Sequence, residues 1–197
     1  MQKTLGIAFL VIAVFVILGF GWTISTSNHL VSLDEGVKEK WSQVENVYQR
    51  RADLIPNLVS TVKGYAKHEA EVLEEVTKAR AQVGQVKIEN GGSNPGDVQK
   101  FDQAQGQLTS ALSRLLVVSE RYPELKADKN FSELQSELEG TENRISIERM
   151  RFNEAAQGYN SYLRQFPQSM IAGLRGFKER EYFKANAGAQ TAPKVEF

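Results

Sequence analysis

The sequence predicts an all-α protein with an N-terminal transmembrane helix followed by an elongated antiparallel helical bundle. Three observations lead there. The run from Leu5 to Ile24 contains no charged residue. Beyond Asp34, apolar residues recur at steps of three and four, the period of a helix with one buried face. No segment sustains the period-two alternation of a strand.

The apolar run comes first. As a helix at 1.5 Å per residue, Leu5 to Ile24 measures about 30 Å, the thickness of a bilayer's hydrocarbon core. Trp22, near its end, suits the aromatic belt at the membrane interface. A cleaved signal peptide has a shorter apolar region followed by small residues at the cleavage site. Here Phe20, Trp22 and Ile24 crowd that place, although Ser25-Thr26-Ser27 is small enough to keep cleavage open. No cysteine exists, so lipid attachment at a cysteine is excluded. The preferred reading is a retained anchor. Lys3 before the run, with no cation close behind it, favours a cytoplasmic N-terminus and an exported domain. The division expected is residues 1–25 as anchor, 26–184 as the bundle and 185–197 as a flexible tail, with a contact by Phe197 left open.

In the bundle, Leu30, Leu33, Val37, Trp41, Val44, Tyr48, Arg51, Ile55, Leu58 and Val62 form one stripe. Only Ser25 to Asn28 separates it from the apolar run, so the two helices are expected to join. Pro56 predicts a kink or a fresh helix start, with Asp53 as a cap. His68 to Val86 carries Val72, Val76, Ala79, Val83 and Val86 at similar spacing. Asn90 to Gly96 is the clearest loop. Asp97 is placed to cap a helix over about Val98 to Arg121, striped by Phe101, Leu108, Leu112, Leu115 and Val118 and stopped by Pro123. Asn130, with Glu133 three residues on, predicts the start of a last long helix running to about Gln165. Its stripe is Phe131, Leu134, Leu138, Thr141, Ile145, Phe152, Ala155, Tyr159, Tyr162 and Phe166. Ser169 is placed to cap a short helix after Pro167.

Net charge is zero with 24 basic and 24 acidic residues, which supplies no global attraction for nucleic acid. With no cysteine and only His29 and His68, thiolate sites and multi-imidazole sites are excluded. His68-Glu69 is followed at position 72 by Val, so the zinc motif HExxH lacks its second ligand. Thr26 and Tyr65 precede the two histidines by three, which excludes the Glu-x-x-His pairs of di-iron bundles. Neither a phosphate-binding GxxxxGK[ST] loop nor a GxSxG elbow occurs. Glu74-Glu75 reads as solvated helix surface. The chain is read as non-enzymatic, with no cofactor and no metal; a small-molecule ligand is not the expected partner.

Two places stand out. Around Tyr48, Arg50, Arg51, Asp53, Pro56 and Asn57, charge meets a helix interruption, and Arg51 falls on the inward stripe. An inward arginine needs partners, because an unpaired buried charge is costly. Asp53 and acids on the last helix, such as Glu148, are the candidates. The pair either fixes helix register or marks a site for an acidic or polar ligand. Asn153 and Asn160 lie seven apart on one face, placed to bond backbone freed by Pro56 or neighbouring groups. A structural role is the preferred reading of this aromatic-rich end; the alternative is that Phe177, Tyr182 and Phe183, exposed amid Lys178, Arg180 and Lys184, rest on a membrane or a partner.

The run from Trp41 to Val59, WSQVENVYQRRADLIPNLV, resembles the signature of the LemA family. So do Val62-Lys63-Gly64-Tyr65, His68-Glu69, Ala79-Arg80, Phe152-Asn153, Tyr159-Asn160, Phe166-Pro167, and Ile171-Ala172-Gly173-Leu174 through Phe183. The resemblance extends over essentially the whole chain. It implies a bacterial protein with one N-terminal membrane helix in the inner membrane and an all-α bundle, and it carries over no catalytic residue. Some members are associated with building magnetosome membranes, which implies a membrane-organising or scaffolding role. The partners expected are the lipid bilayer and either further copies of the chain or other membrane proteins.

Overall fold

The computed structural model describes residues 2–88 and 91–184. Among the described residues, six helices follow one another: α1 (Gln2–Tyr65), α2 (Ala70–Gln85), α3 (Asp97–Ser119), α4 (Pro123–Lys126), α5 (Lys129–Arg164) and α6 (Gln168–Arg175). No strand occurs among the described residues. The tail from Ala185 and the contact expected of Phe197 lie outside them.

Helix α1 passes from the apolar run into the bundle without a break, and it is long and apolar enough at its start to cross a membrane. Phe9, Phe15 and Phe20 are exposed there, as lipid-facing residues would be. The change of environment is abrupt: Thr26 and Ser27 are buried, so the folded domain reaches down almost to the end of the run. Above them Leu30, Val37, Trp41, Val44, Tyr48, Arg51, Ile55, Leu58 and Val62 are all buried, and Leu33 is half-buried.

Helix α5 packs antiparallel along this stripe. The ring of His29 meets that of Tyr162, Trp41 meets Phe152, Arg51 bonds Glu142, and the Tyr65 hydroxyl donates to Asp128 at 2.9 Å. The two helices thus hold one register from the apolar end to the far end. The α2–α3 hairpin lies on this pair. Gly91 and Gly92 let its loop close: both have positive φ, and a Cβ on Gly91 would stand 3.1 Å from the Cα of Lys38 in α1.

Several expected helix ends fall elsewhere. Asp128, not Asn130, caps α5, its Oδ1 accepting from the Phe131 N–H at 2.9 Å. Asp128 keeps an extended backbone there, whereas Asn130 is already helical. That bond first, and the Tyr65 hydroxyl second, hold the Asp128 carboxyl below its usual value. Asp97 is the first residue of α3, and left-handed Gly96 occupies the capping position. Pro167 precedes α6, so Ser169 lies inside it. Pro123 opens the short α4 rather than only stopping α3. Phe166, expected on the inward stripe, is exposed because the chain leaves α5 at Gln165.

Candidate functional site

The core divides into two apolar clusters. One gathers Trp41, Tyr48, Phe101, Phe152 and Phe183 toward the apolar end of α1. The other gathers Ile55, Leu58, Leu108, Leu115 and Phe131 toward the far end. Between them lies a polar layer: Arg51 of α1 sits between Tyr48 and Ile55, Gln105 of α3 between Phe101 and Leu108, and Thr141 of α5 between Leu138 and Ile145. Each takes a turn of the helix that an aliphatic residue would otherwise fill.

Arg51 is 3% exposed and spends its guanidinium on three partners. One terminal nitrogen donates to Glu142 Oε2 at 2.8 Å and Thr109 Oγ1 at 3.1 Å; the other donates to Gln105 Oε1. The cation also lies 5.0 Å from the Tyr48 ring centroid. Glu142 is 56% exposed, so the counter-charge is half hydrated and its attraction is screened. The carboxylate does come from an acid of the last long helix, Glu142, while the two acids named as candidates bond elsewhere: Asp53 accepts from Gln49, and Glu148 accepts from Arg151. A buried arginine held by three fixed groups on two helices permits only one register of α1, α3 and α5.

Pro56 does not break α1. A proline inside a helix leaves the carbonyl four residues back without its amide donor. That carbonyl belongs to Ala52, and Arg80 Nε of α2 donates to it at 2.8 Å. Asp53 therefore caps nothing, and the backbone freed by Pro56 is served by Arg80, not by Asn153 or Asn160.

Those two asparagines hold a strap instead. After α6, residues 177–184 run as irregular chain along α5. Asn160 donates through Nδ2 to the Arg180 carbonyl at 2.8 Å, and its Oδ1 accepts from the Arg180 N–H at 2.8 Å. Asn153 treats Phe183 the same way, with both bonds at 2.9 Å. Each carboxamide thereby mimics the edge of a neighbouring strand. Tyr159 adds a bond from its hydroxyl to the Lys178 carbonyl at 2.9 Å. Burial, then nearby Asp34, pushes the Tyr159 phenol up to about 12.

The clamped strap delivers two side chains inward. The Phe183 ring stacks on Trp41 and meets Phe152 edge-on, while Arg149 covers it from 4.5 Å. Arg180 is buried and pairs with Asp34 of α1. So Phe183 and Arg180 are interior groups, not an exposed docking surface, although Tyr182 stays exposed.

The eight residues singled out in the sequence therefore fall in three places. Tyr48 and Arg51 meet at the polar layer. Asn153 and Asn160 hold the strap. Arg50, Asp53, Pro56 and Asn57 face solvent. Sequence reasoning missed Gln105 and Thr109, which the interhelix register selects along with Glu142 among the acids of α5, and Arg80, whose signal was its place in the motif Ala79-Arg80. A groove of about 520 Å³ between α1 and α2, lined by Tyr48, Gln49, Arg80 and Gln105, opens beside the layer. Gln105 Nε2 is buried there with no acceptor among the described residues. No cluster of three or more His, Asp or Glu among the described residues is placed to hold a metal ion.

An apolar helix that becomes the spine of a strapped bundle defines a membrane-associated, all-helical protein. Residues 40–197 match the LemA family, and the chain belongs to it. Its relatives include the magnetosome proteins MamQ 1 and MamQ 2 of Paramagnetospirillum magneticum. Each is 28% identical over 93% of this chain and 74% of its own length. Protein LemA of Metamycoplasma hominis is 22% identical over 76% of this chain and 64% of its own length.

Proposed function

We propose that the chain is a non-enzymatic, single-pass scaffold of the bacterial inner membrane. Residues 1–25 stay as anchor, residues 26–184 form the working domain on the extracytoplasmic side, and the domain acts by self-association or by binding envelope proteins. The observation that carries this is α1, one helix serving as both membrane span and bundle spine. A cleaved leader has no reason to run into the core, whereas an organiser needs its domain fixed to the bilayer. Kinship with proteins named for the magnetosome agrees with a role on membranes. Crosslinking in native membranes is expected to trap oligomers or one recurrent partner. Recovery of monomer alone at native abundance rejects the scaffold reading.

A second reading, a membrane-tethered ligand-binding or sensory module, draws on one observation: the buried Gln105 Nε2 beside the α1–α2 groove. A ligand with a carbonyl or carboxylate acceptor would satisfy it. Arg51→Met separates the readings. Lost ligand retention at unchanged thermal stability supports binding, and destabilisation alone supports a structural layer.

A further inference from the structure

The corner between α5 and α6 exposes large apolar side chains that the fold does not require outside. Phe166 is 81% exposed, Met170 61% and Leu174 88%. Met170 and Leu174 are one turn apart, hence on one stripe of α6, while the opposite face buries Ile171 and Ala172. Arg164, Arg175 and Lys178 are exposed around this patch, Arg164 standing 3.8 Å from Glu179.

The register of the bundle sets the height of this corner. His29 pairs with Tyr162, and the antiparallel match continues through Trp41 and Phe152 to Arg51 and Glu142. Four residues past Tyr162, Phe166 comes level with Ser25 to Ser27 of α1. The burial of Thr26 and Ser27 agrees, since only the folded domain can cover them. At 1.5 Å per residue, this level is within about 5 Å of Ile24, where the apolar run ends. The headgroup layer of one leaflet is itself about 5–7 Å thick. Helix α6 begins at this level, and the chain after it climbs away from the apolar run, reaching Asp34 at Arg180.

We propose that this corner is a second membrane contact. Phe166, Met170 and Leu174 insert into the leaflet that the anchor enters, and Arg164 and Arg175 at its margin meet lipid phosphates. The arrangement is that of an interfacial amphipathic helix, apolar on the lipid side and basic at its margin. It rests on the membrane-anchor reading above and adds to it: a helix alone can spin about its axis, whereas a helix with a lateral foot presents one fixed face. The continuity of the patch with the membrane end of α1 favours lipid over a second copy of the chain.

The chain lacks cysteine, so single labelling sites are simple to introduce. Full-length Met170→Cys and Leu174→Cys, each carrying an environment-sensitive fluorophore, are reconstituted in vesicles of phosphatidylethanolamine and phosphatidylglycerol. Phe15→Cys marks the anchor, and Val117→Cys, an exposed position on α3, marks water. Lipids brominated high on the acyl chain are expected to quench labels at 15, 170 and 174 several-fold more than at 117. If 15 is quenched while 170 and 174 behave like 117, the lateral contact is wrong and the anchor stands. If 170 and 174 are shielded from water yet untouched by brominated lipid, another protein copy covers them and the proposal falls. If 15 is unquenched, the anchor reading fails and takes the proposal with it.

Discussion

Arg80 donates its Nε–H to the carbonyl of Ala52, the acceptor that Pro56 leaves without a helical partner. A side chain of α2 thus completes the backbone of α1, and the proline lets α1 reserve a carbonyl for its neighbour. Arg80→Met is expected to cost about 1–3 kcal/mol, the penalty of a stranded polar group. Pro56→Ala supplies the missing amide, so Arg80→Met should cost less in that background. Thermal unfolding of the two single variants and the double closes this cycle; strict additivity would show the two sites to be independent.

The polar layer makes a second prediction. Arg51→Met strands the Gln105 carboxamide in the interior and is expected to lose about 3 kcal/mol or more. Adding Gln105→Leu to Arg51→Met should recover much of that loss, because a fully apolar layer has nothing left unpaired. Glu142 can hydrate once released, being half exposed already. Chemical denaturation of both variants measures the difference, and a double variant no better than the single one contradicts it.

For the strap, the asparagine clamps predict local rather than global opening. Asn160→Ala removes bonds to both backbone groups of Arg180, as Asn153→Ala does for Phe183. Cleavage by trypsin at Lys178 and Lys184 is expected to accelerate roughly tenfold, equivalent to about 1.4 kcal/mol of lost local stability. Helix content should barely change, since α5 keeps its own ladder. Unchanged cleavage would mean that Phe183 and Arg180 hold the strap without the clamps.

Two titrations bracket the pH range. Tyr159 lies well above its usual 10.0, at about 12, so its contribution is complete below pH 10 and is lost as pH climbs toward 12. Tyr159→Phe should abolish that alkaline loss, read by melting temperature. Asp128 is shifted the other way: its capping stability is present above 3.8 and fades as pH falls below it. Asp128→Asn caps without ionising, so any melting difference from the natural chain should narrow at low pH.

How much of this was legible from the residues differs by level. The stripe from Leu30 to Val62 reads directly, because a helix face repeats at three and four whatever it packs against. The helix around Pro56 does not, since its missing bond is supplied from 28 residues away by Arg80. Arg51 reads as a buried cation with a carboxylate from the last long helix, yet Asp53 and Glu148 bond elsewhere and Glu142 fills that role. Its true partners depend on how α3 and α5 slide past α1, and two of the three are uncharged. The spacing of Asn153 and Asn160 shows a shared face, while their purpose needs a strap with no periodicity of its own.

The 64 residues of α1 also set a height. From Ile24 to Tyr65 the helix climbs about 60 Å, several times the thickness of a headgroup layer. With the apolar run in the bilayer, the junction of Tyr65 with Asp128 would stand at the far end of the described residues, and anything gripped there would be held well off the bilayer. The same length acts as a lever: a membrane helix tilted by about 20° carries that junction sideways by about 20 Å. Modest changes in bilayer thickness or in the seating of the anchor would thereby be magnified into a wide sweep at the tip.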